Sequence, residues 1–190
     1  MARPPSIDEA ALLDALIAVF REKGFDGTAI GDLSAASGLQ RASLYHRYPN
    51  GKEEMAEAVL AQVGQRFRWI LAPMREDEDV ARGMAETARR LGDFYGAGAL
   101  SCVLDTMTLA GTPEKIREQA RGLAKTWIDV MTEAAQRAGR GPEEASRAAR
   151  DAFLRIEGAL VLGRVMGEHD AFAESIAAMP GILLPGTAGS

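Results

Sequence analysis

Apolar residues recur along most of this chain at steps of three and four, the spacing of one helix face, and nowhere in the strict alternation of a half-buried strand. Leu12, Leu16, Val19 and Phe20 mark the first such face. A Ser6-Ile7-Asp8-Glu9 run before it has the form of a capping box, and Gly24 supplies its stop. Phe25 is placed to fold back onto that face. Thr28 is the expected cap of a short second helix carrying Ile30 and Leu33, which ends near Ser37-Gly38. Leu39 pins the turn, a third short helix covers residues 40–48, and Pro49-Asn50-Gly51 then breaks the chain.

Longer faces follow. The fourth helix is expected over residues 52–71, with Met55, Val59, Val63, Phe67 and Ile70 on one side, ending before Pro73. Asp77 or Asp79 caps a fifth, on which Val80, Met84, Ala88, Leu91 and Tyr95 share a face until Gly96-Ala97-Gly98 interrupts it. After a short apolar piece at 100–109, Thr112-Pro113-Glu114 is a start signal, a Thr cap with Pro at the first helical position. Its helix carries Ile116, Ala120, Leu123, Trp127, Met131 and Ala134 and stops at Gly139. Pro142 opens another long helix to about Gly167, a last short one covers 171–178, and the Pro/Gly-rich tail from Pro180 is expected to be extended. No hairpin signal and no repeat is visible. The expected fold is all-α with about nine helices: an N-terminal three-helix domain over residues 1–50 and a helical bundle over 51–190.

With 190 residues, 47% of them hydrophobic, the chain can bury a substantial core and lacks the signature of disorder. No apolar run approaches the ~20 residues of a membrane span. No apolar stretch follows Met1-Ala2-Arg3, so neither a signal peptide nor a membrane role is expected, and the expected compartment is the cytoplasm. One Cys and two His give neither a disulfide framework nor a zinc constellation, and no cofactor is expected. Arg far outnumbers Lys, an excess that points to no particular site. A net charge of -5 argues against a general polyanion binder. Yet between Asp32 and Glu53 stand Arg41, Arg47 and Lys52 without one acid, a local basic patch in an acidic chain.

That patch coincides with a motif. Over residues 28–48 two short helices flank a glycine turn, with apolar pins at Ile30, Leu33, Leu39 and Leu44, the pattern of a helix-turn-helix. The major groove of DNA admits one helix, whose exposed side chains must reach base edges while the preceding helix holds it in register. With Leu44 inward, Gln40, Arg41, Ser43 and His46 fall mostly on the outer surface. Arg41 suits a guanine edge and Gln40 an adenine edge. Tyr45 and Tyr48, three residues apart, place one ring toward the groove and the other toward the core. Thr28 and Lys52 begin the second and fourth helices, where amides and the positive dipole end favour phosphate.

The stretch Gly24-Phe25-Asp26-Gly27-Thr28-Ala29-Ile30, then Asp32-Leu33, Ser37-Gly38-Leu39, Ser43-Leu44-Tyr45, Tyr48-Pro49 and Lys52-Glu53-Glu54-Met55, resembles the N-terminal domain of the TetR family of bacterial transcriptional regulators over about residues 7–60. The resemblance implies a homodimer on near-palindromic operator DNA, usually a repressor released by a small-molecule effector. It implies phosphate contacts at Thr28 and Lys52, and a DNA-facing surface of Gln40, Arg41, Ala42, Ser43, Tyr45 and His46, with Tyr48 beside them. Three departures stand out: Ala29 for a common Thr, Ser34 for a common Ala, and an Asn50-Gly51 link one residue longer than usual.

About 50 residues cannot build a strong core alone, so the fourth helix must join this module to the rest. Within the second half, Ala149, Ala152, Ile156, Leu160 and Gly163 form one face of the helix after Pro142 and, with Gly167, are the candidate dimer interface; packing inside one chain is the alternative. Candidate effector-site residues are Phe67, Trp69, Phe94, Tyr95, Cys102, Met107, Trp127 and Met131, with Asp105 to orient a polar group; the same aromatic and Met pattern also serves as plain core. Two other functions stay open on residues alone. One is a helical scaffold that has lost DNA binding; the other is a small helical enzyme, for which no nucleophile–base pair, metal cluster or phosphate loop is visible.

Overall fold

The computed structural model describes residues 8–185. Among these the chain is helical throughout: α1 (Glu9–Lys23), α2 (Ile30–Ser37), α3 (Arg41–Arg47), α4 (Lys52–Glu76), α5 (Val80–Phe94), a 3-10 turn at Gly96–Gly98, α6 (Val103–Thr106), α7 (Glu114–Arg137), α8 (Pro142–Met166) and α9 (Asp170–Leu183). No described helix is long and apolar enough to cross a membrane. The Ser6 half of the expected capping box lies outside the described residues. Asp8 stands at the cap position of α1 and makes no side-chain cap bond.

The described residues form two compact units, residues 8–64 with 103–121, and residues 65–102 with 122–185. They differ from a division at residue 50, because α6 packs on α1 and the start of α7 meets the first half of α4, where Lys115 and Gln119 reach Glu57. Within the first unit Leu12, Leu16, Phe20, Leu33, Leu44, Met55, Val59 and Val63 are buried. The Thr106 hydroxyl donates to the Phe20 carbonyl at 3.1 Å and ties α6 to α1. Thr112 does not cap α7: its hydroxyl is buried without a partner among the described residues, and the Pro113 carbonyl accepts the first helical amides, from Ile116 and Arg117.

In the second unit α8 and α9 pack along each other, and α5 packs on α9. Two expected helix ends are overrun. Pro73 lies inside α4, where its ring nitrogen cannot serve the Trp69 carbonyl one turn back. The Arg90 guanidinium donates to that orphaned carbonyl instead, at 2.6 Å, so the helix continues. Pro180 likewise lies inside α9 rather than in an extended tail. Arg140 holds the end of that helix, donating to the Ile182, Leu183 and Leu184 carbonyls at 2.6–2.9 Å. Arg137 does the same for α4 through Met74, Arg75 and Asp77. Part of the arginine excess is therefore helix-end chemistry: a forked donor satisfies several terminal carbonyls at once.

Gly83 lets α5 approach α4, since a Cβ there would lie 2.3 Å from the Pro73 carbonyl oxygen. Gly83→Ala should cost about 1–3 kcal/mol of stability by overpacking. Gly122→Ala, where a Cβ meets nothing within 4 Å, should instead gain up to about 1 kcal/mol. Thermal unfolding checks both; an unchanged midpoint for Gly83→Ala would refute the close approach.

Candidate nucleic-acid interface

The glycine turn is built by side-chain oxygens. α2 ends at Gly38, whose φ of 69° is the left-handed conformation that glycine adopts without a Cβ clash. The Ser37 hydroxyl donates back to the Leu33 carbonyl at 2.7 Å and accepts from the Leu39 amide at 3.3 Å. The Ser34 hydroxyl donates across the turn to the Leu39 carbonyl at 2.6 Å, a bond that the family's common Ala cannot make. Leu39 is half-buried and Leu44 fully buried beneath α3.

On the outer side of α3 and its cap, Gln40, Arg41, Ala42, Tyr45 and His46 are exposed, and Ser43 is half-buried. The two tyrosines divide as their spacing predicts: Tyr45 is 48% exposed and Tyr48 only 6%. The Tyr45 ring lies against Gly51, where a Cβ would come within 3.3 Å of it, so the longer Asn50-Gly51 link gives that ring its seat. Asn50 donates its amide to the Glu54 carboxylate at 2.8 Å, which fixes the link at the head of α4.

Three expected contact residues are held inside the module. Thr28 is buried and its hydroxyl donates to the Gly24 carbonyl, which closes the loop after α1; Ala29, not Thr28, stands at the cap of α2. The Ala29 amide is met by the Asp32 carboxylate at 2.9 Å, and Asp32 also pairs with Lys23 at 2.7 Å, which holds its carboxyl below the usual range. Lys52 donates to the Phe25 and Thr28 carbonyls at 2.8 and 3.0 Å and lies 4.4 Å from the Phe25 ring centroid. Phe25 in turn stacks on Phe20 at 6.3 Å. Tyr48 donates its hydroxyl to the Glu9 carboxylate at 3.0 Å; burial, with that carboxylate beside it, pushes the phenol up to about 12.

The basic patch is therefore smaller than the charge pattern suggests. Arg47 is paired with Glu9 at 2.8 Å, and two of the three Lys52 protons are committed to carbonyls. Among the described residues Arg41 has no ion-pair or hydrogen-bond partner, and its guanidinium sits over Gly31 near the start of α2. Glu9 is the residue that sequence reasoning missed. Its place in the sequence predicts half of a capping box, and only a contact 38 residues away in sequence shows its other role.

The second unit gathers Phe67, Phe94, Tyr95 and Trp127 into one run of rings with centroids 4.9–5.4 Å apart. Phe153 and Phe172, which the periodicity did not single out for this cluster, extend the run at 5.2 and 5.5 Å. Cys102 is buried 3.4 Å from the Tyr95 hydroxyl, and Met131 is buried. Trp69 is not among them: it is 57% exposed, with the Arg90 guanidinium over its ring at 4.1 Å. Asp105 and Met107 belong to the first unit. The Trp127 indole N–H is buried with no hydrogen-bond partner among the described residues.

The expected dimer face is covered within its own chain. Ala149, Ala152, Ile156 and Leu160 are buried within their own chain, on the side of α8 that packs inward. A Cβ at Gly163 would meet His169 and the Glu168 carbonyl of the same chain at 3.0 and 3.2 Å. Gly167 is the left-handed cap that ends α8. The opposite side of α8 exposes Leu154, Gly158, Val161, Leu162 and Val165, and Met166 is exposed on its flank.

Residues 12–59 match the family model for bacterial regulatory proteins of the tetR family. The transcriptional regulator LmrA of Bacillus subtilis is 26% identical over 164 residues, 80% of this chain and 83% of its own. Among solved structures, a TetR transcriptional regulator from Legionella pneumophila aligns with a TM-score of 0.79 at 17% identity, over 94% of this chain and 98% of that one. The TetR-family regulator CifR, as a cysteine mutant complexed with 26-base-pair operator DNA, aligns at 0.74 with 20% identity, over 94% and 98%. The turn geometry, the outward row on α3 and these likenesses converge: residues 12–59 carry the N-terminal module of bacterial regulatory proteins of the tetR family, and the chain as a whole is similar to HTH-type transcriptional regulators and shares the fold of solved TetR regulators.

Proposed function

We propose that this regulator is a repressor that binds near-palindromic operator DNA as a homodimer in the bacterial cytoplasm and is released by a small-molecule effector. The observation that carries the DNA half is the exposed row of Gln40, Arg41, Ala42, Tyr45 and His46 on a helix fixed by a hydrogen-bonded turn. Arg41 is assigned to a guanine edge, Gln40 to an adenine, Ala42 to a thymine methyl, and Ser43, Tyr45 and His46 to the flanking groove wall. Thr28 and Tyr48 are assigned to positioning, since their hydroxyl protons are already taken. Lys52 keeps one ammonium proton for phosphate beside its two carbonyl bonds. Residues 1–50 serve DNA, and residues 51–190 serve dimerisation and the effector.

The exposed stripe of Leu154, Gly158, Val161 and Val165 supports the homodimer, because its occupant of matching symmetry is a second copy of itself. Beside it α9 exposes Ala173, Ala177 and Gly181, small residues that let two helix pairs approach across a two-fold axis. The effector site is proposed at the cluster of Phe67, Phe94, Tyr95, Trp127 and Met131, with Cys102 at its edge. A buried indole N–H without a partner favours an apolar, aromatic ligand that presents one acceptor. α4 is one 25-residue helix that contributes to both compact units. Dimer half-sites require about 34–36 Å between recognition helices, so a small pivot of α4 loses the register. Selection of the purified protein on a random duplex pool tests the proposal. Enrichment of a palindrome with half-sites about one turn apart supports it; no enrichment at low salt from folded dimer overturns it in favour of a scaffold.

A further inference from the structure

The recognition helix is short. α3 has seven residues and only Leu44 of them is buried, so little packing opposes rotation about its own axis. A turn of about 20° at the side-chain radius of about 5–6 Å moves a contacting atom about 2 Å, more than a base-edge hydrogen bond tolerates. Something must fix that rotation at the end of α3 far from the glycine turn.

We infer that Glu9 is a positioning residue for sequence readout, a two-point clamp that reaches from the first turn of α1 to the far end of the recognition helix. One carboxylate oxygen accepts from Arg47 Nη1 at 2.8 Å, and the other accepts from the Tyr48 hydroxyl at 3.0 Å. Arg47 is the last residue of α3 and Tyr48 is its C-cap, so the two bonds fix both the angle and the end of the helix. Glu9 sits where a carboxylate suits the positive end of the α1 dipole. The clamp also withholds Arg47 from DNA phosphate. Sequence-independent attraction is reduced while the Arg41 and Tyr45 row is held in register, which raises the ratio of specific to non-specific binding.

This inference rests on the DNA-binding proposal above, and one experiment separates the two. The probes are the duplex enriched from the random pool and a scrambled duplex of the same length, at one salt concentration. Glu9→Ala removes both bonds in each protomer, but the carboxylate is largely exposed and its pairing solvent-screened, so binding to the enriched duplex should weaken about tenfold. Binding to the scrambled duplex should stay constant or strengthen, because Arg47 is freed. Glu9→Gln, with one accepting oxygen left, should fall between. Tyr48→Phe removes only a hydroxyl and should shift the ratio the same way by less, which guards against a variant that fails to fold. Equal losses on both duplexes would assign Glu9 to folding alone and overturn the clamp, as would no loss on either. If the wild type enriches no duplex, the DNA-binding proposal falls and the clamp with it; if it does and Glu9→Ala keeps the ratio, only the clamp falls.

Discussion

Glutamate at both Leu154 and Val165 should convert the protein to monomers in sedimentation and remove operator binding at concentrations that saturate the wild type. Leu154 is 68% exposed and Val165 70%, and both lie on the side of α8 opposite its buried face. Fully burying an aliphatic side chain contributes about 1.5–3 kcal/mol; about 70% of that remains to be gained here and a two-fold interface gains it twice, so these two positions together contribute on the order of 4–8 kcal/mol before the costs of association. A two-fold interface would bring the substituted carboxylates together with those of the second copy, where desolvation and like-charge repulsion act together. A monomer keeps one half-site, and its affinity falls from the specific range toward the non-specific range, a loss of about a thousandfold. The fold should survive, because neither side chain belongs to the core of its own chain, and circular dichroism and the unfolding midpoint should stay near wild type. Sedimentation as an unchanged dimer would remove this face from the interface.

The two faces of α8 show what a sequence can and cannot display. At about 100° per residue, Ala149, Ala152, Ile156 and Gly163 fall on one side and Leu154, Gly158, Val161 and Val165 on the other. Both are apolar, and periodicity cannot say which side meets α9 of the same chain and which remains exposed. The inward face holds the smaller residues because α9 packs closely against it, so glycine and alanine there are signs of internal contact. Helix existence was legible because burial repeats at the helical period. Helix ends were less so where a distant residue supplies the missing partner. Arg90 carries α4 past Pro73, and Arg140 holds the end of α9 beyond Pro180. In the recognition module the glycine turn and the outward row were local in sequence and therefore readable. The commitments of Thr28, Lys52 and Tyr48 were not, because each is decided by a carbonyl or carboxylate that only the fold brings near.

Arg41 is the residue on which sequence discrimination should depend most. It is exposed at the start of α3, and no described side chain competes for its guanidinium. A planar fork presents two parallel donors, which match the O6 and N7 acceptors of guanine, and each such pair is worth about 1–3 kcal/mol of discrimination. A homodimer uses the residue twice, so Arg41→Ala should weaken the selected operator about a hundredfold or more, with guanine preference lost at two symmetry-related positions. Arg41→Lys should not restore it, because an ammonium cannot repeat the bidentate geometry. The salt dependence separates this role from a phosphate contact. A base-edge contact leaves the slope of log affinity against log salt nearly unchanged, whereas loss of a phosphate contact lowers it by about one for each site and weakens all sequences alike. Uniform weakening with a shallower slope would move Arg41 to the phosphate backbone. Readout would then pass to Gln40, Tyr45 and His46, whose own substitutions would have to relax the selected sequence.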